Sequence, residues 1–201
     1  MTVALVLNGD LNNHADFNCI RLYESIYCTD GAYNILKKKK IAVHAVIGDF
    51  DSIKQTTHQS DRFVHRPDQN FTDFDKALAY LDELQVEKID VFGASGNEQD
   101  HFLGNLYVAR KWKQRFSLMF YDQYQRYFLA KSTEVIDNIL GKTVSLMPFY
   151  QADKITTSGL QYPLDQASLG FDSSIGIRNK AVSQRVQIKH SSGDLIIFVE
   201  R

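Results

Sequence analysis

Two carboxylates stand one residue apart directly after an apolar run. Residues 48–52 read Gly-Asp-Phe-Asp-Ser, and the preceding Val-His-Ala-Val-Ile is typical of a buried strand. Side chains alternate along an extended segment, so Asp49 and Asp51 are expected to point the same way. Two carboxylate oxygens on one side suit a hard cation such as Mg²⁺. The alternative is that the Asp and Ser side chains only stabilise a turn by bonding to their own backbone.

Similar polar clusters follow two other apolar runs. Residues 29–31, Thr-Asp-Gly, come after Ser-Ile-Tyr-Cys, and residues 93–96, Gly-Ala-Ser-Gly, come after Ile-Asp-Val-Phe. Ligands of open parallel sheets bind outside the carboxyl ends of the strands, where these clusters would meet. A small-residue loop between a strand and a helix also presents free N–H groups to an anion.

Two more carboxylates lie where helices are predicted to begin. Thr72 and Asp75 have the spacing of a capping pair, which leaves Asp73 in the first helical turn. Asn97 and Asp100 repeat that spacing. Asp100 is therefore either a capping partner or a functional carboxylate.

The elements that must position these residues are of two kinds. Up to residue 122, five short apolar runs alternate with helical segments, of which 72–84 and 98–112 carry an apolar stripe. The sequence thus predicts an α/β fold in which a mostly parallel sheet has flanking helices. The five predicted strands are residues 3–7, 25–28, 43–47, 89–92 and 117–121.

From residue 123 the chain consists of short β-branched and aromatic segments separated by glycines. Alternation of Val186 and Ile188 with Arg185, Gln187 and Lys189 predicts antiparallel strands with one wet face. We therefore expect one domain over 1–122 and a second, all-β domain over 123–201. The separate strand segments expected here are residues 126–131, 142–149, 154–160, 181–190 and 194–200.

Composition excludes several classes of partner. The formal net charge is −1 and the pI about 6.6, so no strong positive field is available to bind nucleic acid. The first apolar run is too short for a signal peptide or a membrane span. Two cysteines form neither a disulfide framework nor a metal motif, which favours a cytoplasmic protein.

Taken together, the motifs resemble the thiamine pyrophosphokinase family over nearly the whole chain. In the second half, residues 141–148 and 159–164 resemble the family's thiamine-binding β-sandwich. In the first half, the similar motifs are Asp30-Gly31-Ala32, Gly48 to Ser52, Pro67-Asp68-Gln69, Thr72-Asp73 with Lys76-Ala77-Leu78, and Gly93 and Gly96 followed by Asp100-His101 and Asn105.

The resemblance implies transfer of a pyrophosphoryl group from ATP to the hydroxyl of thiamine, with AMP as the leaving group. It implies Mg²⁺ as cofactor and a homodimer whose site lies at the subunit interface. Catalysis would fall to Asp51, Asp73 and Asp100, and metal binding to Asp49, Asp51 and Asp73. The remaining ligand-binding residues it implies are Asp30, Gly31, Gln69, Lys76, Gly93, Gly96, Asn105 and Asn179.

Two departures from the family pattern, and several alternatives, stay open at this point. Family members usually carry Gly-Arg where this chain has Asn97-Glu98, and Ser-Asn where it has Arg178-Asn179. Lys76 either neutralises phosphate or pairs with Asp73. The proton of the thiamine hydroxyl could pass to Asp73 or Asp100. The alternative functions are a non-catalytic binder of thiamine diphosphate or a nucleotide, and another Mg²⁺-dependent nucleotide phosphotransferase.

Overall fold

A computed structural model describes residues 1–11, 14–53, 62–172 and 176–201 of the chain. The packing of the chain divides it into two compact units, Met1–Gln123 and Tyr124–Arg201. Among the described residues, no helix is both long and apolar enough to cross a membrane.

The N-terminal unit is a parallel sheet with helices. The strands lie in the order β4-β3-β2-β1-β5-β6, and every neighbouring pair within this order is parallel. The predicted strands and the two predicted amphipathic helices are confirmed. The elements are β1 (Thr2–Val6), α1 (His14–Ile20), β2 (Ile26–Thr29), α2 (Asp30–Lys38), β3 (Ala45–Gly48), β4 (Phe63–His65), α3 (Asp73–Glu83), β5 (Lys88–Phe92), α4 (Gln99–Trp112) and β6 (Ser117–Tyr121).

Burial explains why the central strands read as continuous apolar runs. All four residues of β2 and of β3 are buried, as expected for strands covered on both faces. Leu5, Ile47 and Ile89 from three strands are fully inaccessible, and so is Leu78 of α3. Successive strands are added on one side of β1 up to β4, and β5 then pairs with its other side. The carboxyl end of β1 is consequently the topological switch point, where open α/β sheets bind ligands.

The C-terminal unit is antiparallel throughout its described pairings, as predicted. Its strands lie in the order β7-β13-β9-β12-β8, and β10 and β11 also pair with β9. The elements are β7 (Gln125–Leu129), β8 (Thr133–Asp137), β9 (Thr143–Ser158), β10 (Ala167–Gly170), β11 (Asn179–Lys180), β12 (Arg185–Lys189) and β13 (Ser192–Glu200).

The strand β9 corrects one prediction, because residues 142–149 and 154–160 were expected to form two strands. Its first part pairs with β13 and its last part with β12. Tyr150 and Lys154 have positive φ angles of 74° and 52°, and the register shifts opposite Gly193. These irregularities bend the strand without ending it, and so one strand serves both sheets of the sandwich.

The core of the C-terminal unit lies between these two sheets. Val186 and Ile188 of β12 are fully buried in one apolar cluster with Leu146 and Ile197. Arg185 on the same strand is exposed, which confirms the predicted alternation. Gly193 lies inside β13 rather than between strands. A glycine is required there, because a Cβ at this position would lie 2.0 Å from the Gln151 carbonyl oxygen.

Candidate active site

A polar cleft of about 690 Å³ opens at the switch point of the N-terminal unit. Residues that follow β1, β2, β3 and β5 line it, together with the first turns of α3 and α4. Residues separated in sequence are therefore brought together at one place. Of the site residues predicted from the sequence, those lining the cleft are Asp30, Gly31, Asp49, Asp51, Gln69, Asp73, Lys76, Gly93, Asp100 and Asn105.

The two aspartates after β3 converge, but not for the predicted reason. The strand ends at Gly48, and Phe50 has a φ of 70°, so the segment is a turn rather than an extended strand. The Asp51 N–H donates to Asp49 Oδ1 at 3.3 Å. One carboxylate oxygen from each of Asp30, Asp49 and Asp51 lies within 4.8 Å of the others. The turn thus gathers three carboxylates.

Asp30 begins α2 and is almost completely buried, with 1% of its surface exposed. Its Oδ1 accepts the Gly31 N–H at 2.6 Å, and its Oδ2 accepts the Phe50 N–H at 2.9 Å. Burial, and then the charges of Asp73 and Asp49, raise the pKa of this carboxyl to about 6 against the effect of the two hydrogen bonds. A site that resists holding another negative charge favours a bound cation.

A glycine is required beside this carboxylate. A Cβ at Gly48 would lie 2.8 Å from Asp30 Cγ, closer than atoms can pack without a shift. The first residue of the Gly-Asp-Phe-Asp-Ser motif therefore makes room for Asp30, and the third donates its N–H to it. The sequence predicts that Gly48, Phe50 and Asp30 lie at strand ends, but only the structure shows that they are in contact.

Lys76 is a buried cation between two carboxylates. Its Nζ lies 3.1 Å from Asp73 Oδ1 and 3.3 Å from Asp49 Oδ2, and the residue is 6% exposed. Burial alone would lower the Lys76 pKa, but the hydrogen bonds and charges of Asp73 and then Asp49 raise it above its usual value. The ion pair with Asp73, one of the two roles that the sequence left open for Lys76, is present in the structure. The capping bond is confirmed, since Thr72 Oγ1 accepts the Asp75 N–H at 3.3 Å.

Asp49 is held in its ionised form. Gln69 Nε2 donates to Asp49 Oδ2 at 2.8 Å, and the Asp51 N–H and Lys76 add further bonds. These contacts, with Gln69 the largest, lower the pKa of Asp49 to about 2 although its burial acts in the opposite direction. Gln69 therefore acts on the site by orienting a carboxylate.

The glycine loop after β5, residues 93–96, is hydrogen-bonded to the turn after β1. The Gly9 N–H donates to the Gly93 carbonyl at 2.7 Å, and the Asp10 N–H donates to the Ser95 carbonyl at 2.8 Å. Gly96 has a φ of 94°, and a Cβ there would lie 2.3 Å from Asp10 Cβ. Asn8 and Gly9 of this turn line the cleft but were not among the site residues predicted from the sequence. Their signal was available, because they follow a strand as the other clusters do.

Asn105 fixes the same loop from α4. Its Nδ2 donates to the Ala94 carbonyl at 2.8 Å. Gly93 adopts a φ of 67°, and a Cβ there would lie 2.4 Å from the Leu7 carbonyl oxygen. These contacts determine the shape of the loop, and with it the direction of any backbone N–H group that faces the cleft.

The start of α4 corrects the second capping prediction. The N-cap is Glu98 rather than Asn97, and its side chain makes no capping bond. Asn97 Nδ2 instead donates to the Asn8 carbonyl at 3.3 Å, which moves the helix start one residue along. Asp100 is exposed in the first turn, where its Oδ1 accepts the His101 N–H at 3.0 Å. Glu98 and His101 form an exposed pair on the cleft wall, 3.6 Å apart.

Asn179 belongs to the C-terminal unit and is 5% exposed. Its Oδ1 accepts the N–H groups of Tyr162 and Lys180 at 3.1 and 2.8 Å, and its Nδ2 donates to the Tyr162 carbonyl at 2.7 Å. The neighbouring Arg178 has a φ of 54° and donates its N–H to Ser145 Oγ. Both residues therefore have defined roles in the structure of this unit.

Comparison with known proteins connects both units to one enzyme. Residues 18–120 match the family described as "Thiamin pyrophosphokinase, catalytic domain", and residues 132–195 match "Thiamin pyrophosphokinase, vitamin B1 binding domain". The fold and the matches define an enzyme of the transferase class. The chain belongs to the thiamin pyrophosphokinase family, whose reaction is the ATP-dependent transfer of a pyrophosphoryl group to thiamine.

Individual relatives support this assignment over the full length. Thiamin pyrophosphokinase 1 of Caenorhabditis elegans is 29% identical over 218 residues, 99% of this chain and 89% of the relative. Thiamine pyrophosphokinase of Bacillus subtilis is 28% identical over 178 residues, 84% of this chain and 83% of the relative. The crystal structure of the thiamine pyrophosphokinase from Bacillus subtilis superposes with a TM-score of 0.86 at 25% identity, covering 100% of this chain and 99% of the other.

Proposed function

We propose that the cleft of the N-terminal unit is where the pyrophosphoryl group passes from ATP to thiamine. The observation that carries this proposal is the convergence of three carboxylates beside a buried lysine. The thiamine hydroxyl oxygen would form a bond to the β-phosphorus while the bond from that phosphorus to the oxygen of AMP breaks. The hydroxyl proton would leave to a carboxylate of the cleft.

The three gathered carboxylates, Asp30, Asp49 and Asp51, would hold Mg²⁺. Their donor set fits this ion, because all are hard oxygen ligands and can approach a common point. Burial, and then the negative charge of Asp73 and Asp49, raises the pKa of Asp30, and a bound cation would offset both effects. When bound, Mg²⁺ supplies neutralisation of charge on the phosphate oxygens. Asp73, which the family resemblance placed among the metal ligands, would instead pair with Lys76 and is one of two candidates for accepting the hydroxyl proton.

Lys76 would neutralise a transferred phosphoryl group. Two carboxylates fix its ammonium group, so that the charge needs little reorganisation when the transition state forms. Gln69 would orient Asp49 for the same purpose. The loop at Gly93 and the first turn of α4 would bind phosphate through backbone N–H groups, as helix starts commonly do. Gly31, Gly96 and Asn105 would act by shaping these segments.

Two carboxylates are candidates for accepting the hydroxyl proton. Asp73 is half-buried and bonded to Lys76, whereas Asp100 is exposed at the start of α4. Asp73→Asn and Asp100→Asn should be compared by the pH dependence of kcat. The variant that loses the acidic limb of this profile identifies the acceptor. A loose transition state makes such a base less important than positioning, and we expect the loss to be the smaller of the catalytic effects.

We further propose that residues 1–122 form the catalytic domain and residues 123–201 the thiamine-binding domain. Matching of residues 132–195 to a vitamin B1 binding family supports the second assignment. Asn179 would act there by holding the backbone at Tyr162. A cytoplasmic homodimer with the site at the subunit interface is proposed from the family resemblance, and the presence of both cysteines as thiols agrees with a reducing compartment. Light scattering of the purified chain would test the dimer.

One incubation tests the reaction itself. The protein is mixed with ATP, Mg²⁺ and thiamine, and the nucleotide products are separated. AMP together with thiamine diphosphate supports the proposal. ADP would identify another nucleotide phosphotransferase, and binding without any product would identify a non-catalytic binder. Omission of Mg²⁺ in the presence of a chelator should abolish product formation.

A further inference from the structure

A buried carboxylate outside the cleft fastens α3 to the end of α4. Asp75 is 8% exposed, and its two oxygens accept bonds from Lys111 Nζ at 3.0 and 2.7 Å. Trp112 Nε1 donates to Asp75 Oδ1 at 2.7 Å. We call Asp75, Lys111 and Trp112 the helix anchor. None of the three lines the cleft.

The anchor acts on the turn that carries the cleft residues. Asp73 and Lys76 lie on either side of Asp75 in the first turn of α3, and both line the cleft. Lys111 Nζ also lies over the ring of Phe71, 5.0 Å from its centroid, and Phe71 is part of the cleft wall. The anchor is therefore in contact with the cleft residues through the backbone on one side and through Phe71 on the other.

The first turn of a helix is its weakest part, since its N–H groups lack partners within the helix. Here the capping bond from Thr72 is long, at 3.3 Å. The anchor combines a charge-assisted ion pair, in which Asp75 is buried and the Lys111 side chain is about half exposed, with an indole hydrogen bond to the same carboxylate. The placement of Lys76 between Asp49 and Asp73 thus depends on an attachment at Asp75.

We propose that Asp75, held by Lys111 and Trp112, is a positioning residue for pyrophosphoryl transfer. Asp75 sets the position of Asp73 and Lys76 relative to Asp49. This proposal rests on the function proposed for the cleft. Displacement of a reacting group by about 1 Å can cost about a hundredfold in rate. Loss of the anchor should therefore reduce turnover without removing any group that touches the substrates.

The chain contains a matched control for this proposal. Arg115 Nε donates to Asp82 Oδ1, an ion pair that links the last turn of α3 to the segment after α4. Asp82→Asn removes one carboxylate of α3 from a contact with the same part of the chain, but away from the cleft. Comparison of Asp75→Asn with Asp82→Asn separates positioning from general stabilisation of α3.

The experiment measures kcat, KM and Tm for the full-length wild type, Asp75→Asn and Asp82→Asn. We expect Asp75→Asn to lower kcat by about tenfold to a hundredfold, with the KM for thiamine changed by less than about threefold. Asp82→Asn should keep kcat within about twofold of the wild type, and it should lose less thermal stability because the Asp82–Arg115 pair is more exposed than Asp75. Equal kcat values for the two variants would overturn the proposal.

Milder variants keep the test decisive if Asp75→Asn does not fold. Trp112→Phe removes only the indole donor, and Lys111→Met removes only the ammonium group. Each should lower kcat by about threefold to tenfold, and a kcat equal to that of Asp82→Asn in both would contradict the anchor. Trp112 is the only tryptophan of the chain, so its emission in Lys111→Met reports whether its environment is retained.

Failure of the proposed function would be recognised separately. If the wild type forms no thiamine diphosphate, the reaction is wrong, and the anchor is then tested by calorimetric binding of ATP with Mg²⁺. Weakening of this binding by about fivefold or more in Trp112→Phe and Lys111→Met, but not in Asp82→Asn, supports positioning of the cleft residues. Equal binding by all of these proteins overturns it.

Discussion

The two units use their buried polar residues in opposite ways. In the N-terminal unit, Asp30 and Lys76 are buried beside other charges, and the resulting cleft holds more negative charge than its own lysine can balance. In the C-terminal unit, Asn179 is also buried, but its amide makes three hydrogen bonds to the backbone of Tyr162 and Lys180. The unbalanced charges of the first unit suit chemistry, whereas the hydrogen-bonded amide of the second stabilises the local fold.

The strongest test of this contrast is at Asp51, an exposed member of the carboxylate cluster. Asp51→Asn should lower kcat by about a hundredfold or more, because a metal ligand contributes several kcal/mol to the transition state. Its free energy of unfolding should change by no more than about 0.5 kcal/mol. Steady-state kinetics at saturating Mg²⁺ and urea unfolding measure the two quantities.

Asp68→Asn is the control, since Asp68 is an exposed loop carboxylate that bonds to Asn70 and does not line the cleft. It should keep nearly full activity. Wild-type turnover by Asp51→Asn would show that this aspartate is not a ligand.

The opposite outcome is expected at Asn179. Asn179→Ala removes three hydrogen bonds to the backbone of Tyr162 and Lys180, which should lower the free energy of unfolding by about 2 to 3 kcal/mol. Urea unfolding followed by circular dichroism gives this value. An unchanged unfolding midpoint combined with a large increase in the KM for thiamine would mean that Asn179 contacts the substrate directly.

A smaller effect is expected at Glu98, where the family usually has arginine. This carboxylate lines the cleft and is largely exposed, so it should repel the phosphates of ATP. Glu98→Arg should lower the KM for ATP by about threefold to tenfold at low salt and leave that for thiamine nearly unchanged. The gain should shrink as salt is added, because exposed charges are screened over about 10 Å at 0.1 M.

Glu87→Arg makes the same change of charge directly before β5, at the amino end of this strand, whereas the cleft lies at its carboxyl end. It should not alter the KM for ATP. Identical kinetics of the two variants at low salt would mean that position 98 does not act on the phosphates.

The smallest effect concerns Asp90, a half-buried carboxyl in the same unit but outside the cleft. Tyr23 donates its hydroxyl to Asp90 Oδ2 at 2.5 Å, yet burial keeps the Asp90 pKa above its usual value. A raised carboxyl pKa adds stability below the unfolded pKa of about 3.9, and this stability is lost as the pH rises through the folded pKa. Asp90→Asn keeps an acceptor for Tyr23 and should flatten this part of the stability profile.

We expect Asp90→Asn to change the free energy of unfolding at pH 7 by less than about 1 kcal/mol. Tyr23→Phe is the informative partner, because it leaves the carboxylate without its donor and should destabilise the protein by more. Thermal unfolding between pH 4 and pH 7 compares them. A profile of Asp90→Asn that is as steep as that of the wild type would show that Asp90 does not titrate in this range.

The sequence was most informative where one local pattern decides the structure. Continuous apolar runs predicted β1, β2 and β3, since strands covered on both faces need no alternation. The short strand β4 (Phe63–His65) was not predicted, because two half-exposed residues followed by an exposed one carry no such pattern. The sequence predicts two strands where the structure has the single strand β9. Its irregularity arises from positive φ angles at Tyr150 and Lys154, which cannot be predicted from these residue types.

The candidate site shows the same limit. The sequence identified the segments that line the cleft, since polar clusters follow strands whose ends must converge. The family resemblance implied that Asp30 binds ligand but did not include it among the metal ligands. Only the tertiary structure brings this residue to Asp49 and Asp51. The left-handed backbone at Phe50 and the shift of the α4 N-cap to Glu98 are also set by contacts between distant segments.

Strand order also has a consequence for which pairs of strands form first during folding. In the N-terminal unit, Ala4 of β1 pairs with Ile26 of β2, and Tyr27 of β2 pairs with Ala45 of β3. In the C-terminal unit, β7 can pair only after the distant strand β13 has formed beside it, where Ile196 pairs with Leu129. Closing that loop orders most of the unit at once, and folding rates fall as contacts become less local. Amide protons of β1 and β2 should consequently become protected from exchange before those of β7 and β13 during refolding.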